Sequence, residues 1–302
     1  MPRRGSRPAL IDTAPTSLAD WMEISAILEP NRQWSDGNTR QALVASGLLE
    51  SGEEDAVAND ALAEIADRES AAAGAYPFTV DTGIIALREP VDAAGAAYLF
   101  CLLASNAPNP TGAAGHERLF EQLCVPAAAA FTGGDSFHFG SPRGHLALEA
   151  RPFHVALPHL LGLLGDGEAL PPQPEHRNAK DGGLDILAWR GFPDRRAGRL
   201  MLWCQCAAGQ DWDCKFNEAN FHVFADRFLA RRPVPDPVRA LFVPFRVDQR
   251  KWSDISRRLE GIVFDRCRIA HTLRNSPAIP SAVSSWLRGR LMRLGASTVR
   301  FA

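Results

Sequence analysis

Leu184-Asp-Ile-Leu-Ala-Trp189 and Leu200-Met-Leu-Trp-Cys-Gln-Cys206 flank the break Gly191-Phe-Pro-Asp-Arg-Arg-Ala-Gly198, and this stretch decides the reading of the chain. Two short apolar runs around a turn rich in Gly, Pro and Arg are the pattern of an antiparallel strand pair. A loop centred on Arg195 sets Asp185 opposite Gln205. Side chains alternate along a strand, so this register puts Leu184, Ile186 and Ala188 on one face with Leu202, Cys204 and Cys206. Asp185 and Gln205 then leave together by the other face, where a carboxylate and an amide oxygen converge.

The chain holds three lysines, Lys180, Lys215 and Lys251, against thirty arginines, and two of the three bracket this hairpin. An ammonium is a compact donor whose pKa can shift, whereas a guanidinium is planar and always charged. A lysine kept beside a carboxylate therefore points to chemistry that arginine cannot do.

With 302 residues and 46% apolar content, the chain can bury a substantial core as one large domain or two ordinary ones. Its most apolar run, Ala96–Ala104, is far too short to span a bilayer, and no N-terminal segment resembles a signal peptide. A cytoplasmic protein without membrane association is expected. The six cysteines are irregularly spaced and read as reduced core thiols rather than a disulfide framework. The net charge of −2 hides a polarity along the sequence. Residues 1–110 carry 7 Arg against 16 acids, and residues 231–302 carry 15 Arg and Lys against 5 acids. The first pattern fits a protein-contact module, the second a polyanion-binding one.

Residues 1–15 read as a disordered arm, 16–110 as a mainly helical module, and 111–302 as the domain that holds the hairpin and ends in basic helices. Ser17 with Asp20 can cap a helix over Leu18–Leu28, and helical spacing recurs over Asn38–Leu49 and Glu53–Ala72. Tyr76–Arg88 reads as a hairpin, and Ala96–Ala104 is left open between helix and strand. In the second half, His116–Ala129 is an amphipathic helix with Glu117 and Glu121 one turn apart. Helices are also expected over Phe153–Leu164, Phe216–Leu229, Ser253–Arg274 and Ser281–Leu294, with a strand at Ala240–Val247.

A helix bearing acids, Phe120-Glu121, then a strand with Asp181-Gly-Gly-Leu-Asp185, then a strand with Trp203-Cys-Gln205-Cys, resembles the Mrr-like branch of the P-D-(D/E)-x-K, restriction-endonuclease-like nucleases. The likeness covers about residues 115–230. Tyr76-Pro-Phe, Tyr98-Leu-Phe-Cys-Leu-Leu and Phe264-Asp-Arg-Cys-Arg-Ile-Ala also look like segments of bacterial proteins of this type, some of them linked to antiviral defence. The resemblance implies an α/β fold with a mixed sheet flanked by helices and a Mg²⁺- or Mn²⁺-dependent endonuclease acting on DNA. Asp185 and Gln205 would hold the ion by oxygen, Glu121 would complete its shell or support a second one, and a lysine would stabilise the attack on phosphorus. The family lysine lies two residues after the acid or Gln, and here that position is Ala207. Lys215 could supply the ammonium from a migrated position, with Lys180 a weaker candidate.

Arg288, Arg290 and Arg293 are the expected phosphate contacts, and the acidic module the expected protein contact. The alternative is a non-catalytic subunit that keeps the nuclease fold to bind nucleic acid or a partner protein, which the alanine at 207 favours. Cys204, Cys206, Cys214 and His222 do not have the usual spacing of a zinc site. His138, His145, His154 and His159 read as packing or surface residues.

Overall fold

A computed structural model of the chain describes residues 9–50, 52–106, 116–140, 152–173, 179, 181–194, 196–209, 212 and 220–302. The fold is mixed α/β, with ten helices among the described residues and a mixed five-stranded sheet. The chain divides into two compact units. The first takes Met1–Thr111, Phe245–Asp248 and Arg266–Ala302, and the second takes Gly112–Pro244 and Gln249–Asp265. No helix among the described residues is long and apolar enough to cross a membrane.

The first unit begins with α1 (Pro15–Leu28), β1 (Gln33–Ser35), α2 (Asp36–Ser46), α3 (Glu54–Ala72), β2 (Phe78–Asp81), β3 (Ile84–Leu87) and α4 (Ala93–Ser105). The three strands form an antiparallel sheet in the order β1-β3-β2, so the module is less purely helical than its composition suggests. Pro15, in the first turn of α1, replaces the expected Ser17/Asp20 cap, since a first-turn proline has no N–H to satisfy. Ala96–Ala104 resolves as helix, capped by Asp92, whose carboxylate accepts the Gly95 N–H.

The second unit runs α5 (His116–Thr132), β4 (Asp135–His138), α6 (Phe153–Leu164), β5 (Glu168–Ala169), β6 (Ile186–Arg190), β7 (Leu200–Cys206), α7 (Phe221–Phe228), β8 (Leu229–Arg231), β9 (Val238–Phe242), α8 (Gln249–Leu259) and β10 (Ile262–Phe264). Its sheet follows chain order, β4-β6-β7-β9-β10. Strand β6 is antiparallel to β4 and β7, while β7, β9 and β10 are parallel. The hairpin register is the one set by a loop centred on residue 195: Ile186 pairs with Cys204 and Trp189 with Met201. Alternation then splits the sheet. Leu187, Trp189, Met201 and Trp203 pack with Phe137 and Phe139 against α6 and α7, whereas Cys204 and Cys206 turn to the opposite face, towards Cys124 of α5.

The helix expected over Ser253–Arg274 is broken into three. Glu260 takes a left-handed φ of 51°, and a Cβ on Gly261 would lie 2.4 Å from the Arg239 carbonyl oxygen. The chain thus stops its helix and passes directly against β9, where only glycine fits, before pairing as β10.

Helices α9 (Arg266–Thr272) and α10 (Ser281–Arg293) complete the first unit, α9 on α3 and α4 and α10 on α4. By sequence these segments were grouped with the hairpin domain. The first residue of α9, Arg266, joins a buried ionic network. Asp20 accepts from Arg68 Nη1 (2.7 Å), from Arg266 Nη1 and Nη2 (2.7 and 3.0 Å) and from Asn106 (2.8 Å). Glu23 Oε1 takes both tyrosine hydroxyls, Tyr76 and Tyr98, at 2.8 Å, with Arg68 at 3.0 Å. Glu64 binds Arg68 and Arg246. Burial and the Glu23 charge push both phenol pKa values well up, so the hydroxyls stay donors. Arg246 and Arg266, counted in the basic C-terminal stretch, therefore neutralise carboxylates inside this unit.

Candidate functional site

Three polar side chains meet at the carboxyl end of β7. A Cβ added to Gly140 would stand 3.2 Å from Asp185 Oδ1, 3.2 Å from His138 Nε2 and 3.3 Å from Glu121 Oε2. Gly140 has no left-handed φ, so its conformation does not require glycine. What the missing methyl provides is space at the point where these groups face one another.

Each group arrives from a different element. Glu121 projects from α5, half-buried, and its Oε2 lies 2.9 Å from Nε2 of His138, which ends β4 and is buried. Asp185 precedes β6 at a one-residue irregularity. Its N–H goes to the Cys204 carbonyl, its own carbonyl accepts from Phe139 and Gly140, and its Oδ2 accepts the Cys206 N–H at 2.7 Å. With Oδ2 so held, Oδ1 is the oxygen turned to Gly140.

The hairpin register is the expected one, with Ile186 opposite Cys204 at the end nearest Asp185 and Gln205. Cys206 turns to α5, hydrogen-bonding Cys124 beside Glu121 and Asp185. Gln205, one residue earlier in the strand, is buried, and the alternation of a strand assigns it the face of Met201 and Trp203. It is not among the three groups nearest Gly140. Lys180 and Lys215 lie outside the described residues. Glu117 is exposed on α5, one turn from Glu121.

His138, read from the sequence as a packing or surface residue, belongs to the site. The signal was there in Ser136-Phe137-His138-Phe139: the two phenylalanines enter the α6 side of the core, while Ser136 bonds the Val125 carbonyl of α5 and His138 bonds Glu121.

The thiols at the base of the site are not anionic. Burial first, then the neighbouring carboxylates, push the Cys124 thiol up, against the lowering hydrogen bond from Cys206; Cys204 and Cys206 are pushed well above the ordinary thiol value, chiefly by burial. His222 lies 3.0 Å from Arg232 and 3.7 Å from Asp236.

Among the described residues no three His, Cys, Asp or Glu side chains form a ready-made metal shell. A Mg²⁺ ion does not need one. It keeps several waters and is commonly held by one or two carboxylates together with substrate phosphate. Asp185 Oδ1 and Glu121 Oε2, facing a gap that a methyl group would fill, are hard oxygen donors that fit such an ion.

Of the expected phosphate contacts on α10, Arg288 and Arg293 are exposed, and Arg288 lies over the Phe301 ring at 4.3 Å. Arg290 is half-buried, its pKa lowered by burial and by the nearby Arg293 charge. All three belong to the first unit, whereas the Gly140 site belongs to the second.

Comparison of the chain with protein-family models, with curated proteins and with solved structures gives no match.

Proposed function

We propose that this chain is a metal-dependent nuclease that hydrolyses phosphodiester bonds in DNA on a restriction-endonuclease-like sheet. The observation that carries this reading is the convergence of Asp185 Oδ1 and Glu121 Oε2 on the methyl-free face of Gly140. Further support comes from the mixed sheet flanked by helices, in which an acid-bearing helix is followed by the Asp strand and its hairpin partner. The site also lies at the carboxyl ends of β4, β7 and β9, where open α/β sheets commonly bind ligands.

Mg²⁺ or Mn²⁺, when bound, supplies polarisation of the phosphate and a more acidic water. The chain's residues prepare the place. The Cys206 N–H fixes Asp185 so that one oxygen faces the gap, and His138 fixes the Glu121 carboxylate. Gly140 leaves room for the ligand. Lys215 is assigned to orient the attacking water in place of the family lysine, since Ala207 is buried and carries no donor on its side chain.

Cleavage of duplex DNA in Mg²⁺, abolished by chelator and by Asp185→Ala, is the test. Full activity in Asp185→Ala removes the site from the mechanism. The non-catalytic reading draws on Ala207; it predicts salt-sensitive DNA binding with no cleavage under any divalent ion.

A further inference from the structure

We infer that the first unit carries a binding site for a free α-amino acid with a small apolar side chain, in a cavity of about 120 Å³ at the start of α4. All its lining residues lie between Gly74 and Gly95, within the first unit, and none belongs to the Gly140 site.

Two connections build the cavity. One leads from α3 into β2 and supplies Gly74, Tyr76 and Pro77; the other leads from β3 into α4 and supplies Arg88 to Asp92. Tyr76, Pro77, Val91 and Gly95 are buried and form the floor, while Arg88, Pro90 and Asp92 are exposed at the rim. The floor is closely packed. A Cβ added to Gly95 would stand 3.0 Å from Val91 Cγ1 and 3.2 Å from Pro77 Cβ, so glycine lets both apolar side chains close over the first turn of α4. A Cβ on Gly74 would meet nothing within 4 Å, and the cavity is open on that side.

The rim charges identify the ligand. Arg88 donates Nη2 to the Tyr76 carbonyl, which ties the guanidinium to the wall, and it makes no ion pair among the described residues. Most of its five N–H donors are left over. Asp92 Oδ1 accepts the Gly95 N–H at 2.7 Å, and neither Asp92 oxygen meets a cation among the described residues. The neighbouring charges are already matched: Glu89 Oε1 accepts the Arg300 N–H at 2.9 Å, and Oε2 lies 3.7 Å from Arg300 Nε. Arg88 and Asp92 thus line one cavity with opposite charges that do not neutralise each other.

A simple anion would meet Arg88 and the positive end of α4, but also the Asp92 carboxylate. A simple cation would meet Asp92, but also the guanidinium. A zwitterion satisfies both, its carboxylate taking the planar guanidinium fork and its ammonium the Asp92 oxygen. Pro77, Pro90 and Val91 leave an apolar wall for its side chain, and the volume of about 120 Å³ is well below the roughly 300–1,000 Å³ of pockets for larger ligands. Occupancy would hold the two connections together. It would also brace the end of the unit, since Val91 donates to the Arg300 carbonyl and accepts from the Ala302 N–H, both at 2.9 Å.

The test is isothermal titration calorimetry of the full chain with L-alanine, L-valine, and the two analogues of valine that lack one charge, 3-methylbutanoate and isobutylamine. At least one of the amino acids should bind saturably with a Kd below about 1 mM and raise the thermal midpoint. Each analogue should bind at least about 10-fold more weakly than L-valine, because each leaves one rim charge unmet. Asp92→Asn keeps an oxygen for the Gly95 N–H, so the helix cap survives, and it should weaken amino-acid binding at least about 10-fold. Arg88→Gln should do the same, with Arg88→Lys between it and the wild type. No saturable heat with either amino acid, equal affinity for 3-methylbutanoate and L-valine, or wild-type affinity in Asp92→Asn overturns the inference. DNA cleavage does not enter the measurement, so any of these results leaves the nuclease reading as it stands.

Discussion

Asp185 and Cys206 are joined by a hydrogen bond that a regular β-ladder does not make: the side-chain Oδ2 of Asp185, not its carbonyl, accepts the Cys206 N–H at 2.7 Å. The carbonyl is released to bind Phe139 and Gly140, so one residue ties β4, β6 and β7 together at the edge where the site lies.

This dual role separates two substitutions. Asp185→Asn keeps an oxygen for the Cys206 N–H but loses the charge, and should fold with a thermal midpoint close to that of the wild type while cleaving DNA at least about 100-fold more slowly, beyond the usual cost of losing an outer-shell partner. Asp185→Ala should lose activity and also about 1–3 kcal/mol of stability, because the part-buried Cys206 N–H is left unmet. Equal activity in Asp185→Asn and wild type would remove the carboxylate from the chemistry.

Gly140→Ala is the cleanest probe of the gap. The backbone there suits alanine, yet the methyl would come within 3.2–3.3 Å of three polar atoms. Activity and Mn²⁺ binding, the latter followed by electron paramagnetic resonance, should drop by more than about 10-fold with a stability change under about 1 kcal/mol. Unaltered Mn²⁺ binding would show that the ion, if taken up, sits elsewhere.

Lys215→Arg keeps a positive charge but cannot reproduce a compact ammonium, so cleavage should be lost in both Lys215→Arg and Lys215→Ala with little change in thermal midpoint. Normal turnover by either variant would return Lys215 to the protein surface and leave the position of the family lysine unfilled.

The ionic network of the first unit predicts an acid limit. Burial alone would raise the Asp20 pKa, but Arg266 and Arg68 override it and hold the carboxyl well below its ordinary range. A carboxylate whose folded pKa is depressed contributes stability above its unfolded pKa of about 3.9, and that contribution fades as pH falls below it. Urea unfolding should therefore show stability falling below about pH 4, and Asp20→Asn should flatten this fall while lowering stability at neutral pH. Arg266→Met should cost about 3–5 kcal/mol, since it leaves a buried charge short of its partner. A slope in Asp20→Asn identical to the wild type would assign the acid response to other groups.

The register of the β6–β7 pair was legible because the period of a strand is two and the loop is symmetric about residue 195. The direction of Asp185 was not, because the irregularity at the start of β6 depends on what Phe139 and Gly140 require of the same carbonyl, and nothing local to the hairpin reveals it. Helical spacing set Glu117 and Glu121 one turn apart, and it was the family resemblance that singled out Glu121. His138 was missed because a four-residue strand leaves little pattern, although its flanking phenylalanines alternate. Strand β10 was hidden in an arginine-rich run, where charge outweighed the Gly261 punctuation. Arg246 and Arg266 illustrate a general limit: composition counts charges but does not say which are already paired in the interior.

Because the first unit is assembled from three separated stretches, with the second unit's sequence set between them, it cannot close until the stretch that begins at Arg266 has been made. Arg266, the partner of Asp20, leaves the ribosome some 246 positions after it. During synthesis the hairpin unit has all its strands before α9 and α10 exist, so the later part of the sequence is free to fold while the opening helices hold Asp20 and Glu23 against Arg68 alone, without Arg266. A nascent chain halted just before residue 266 should accordingly protect the hairpin unit from protease while the N-terminal helices remain susceptible.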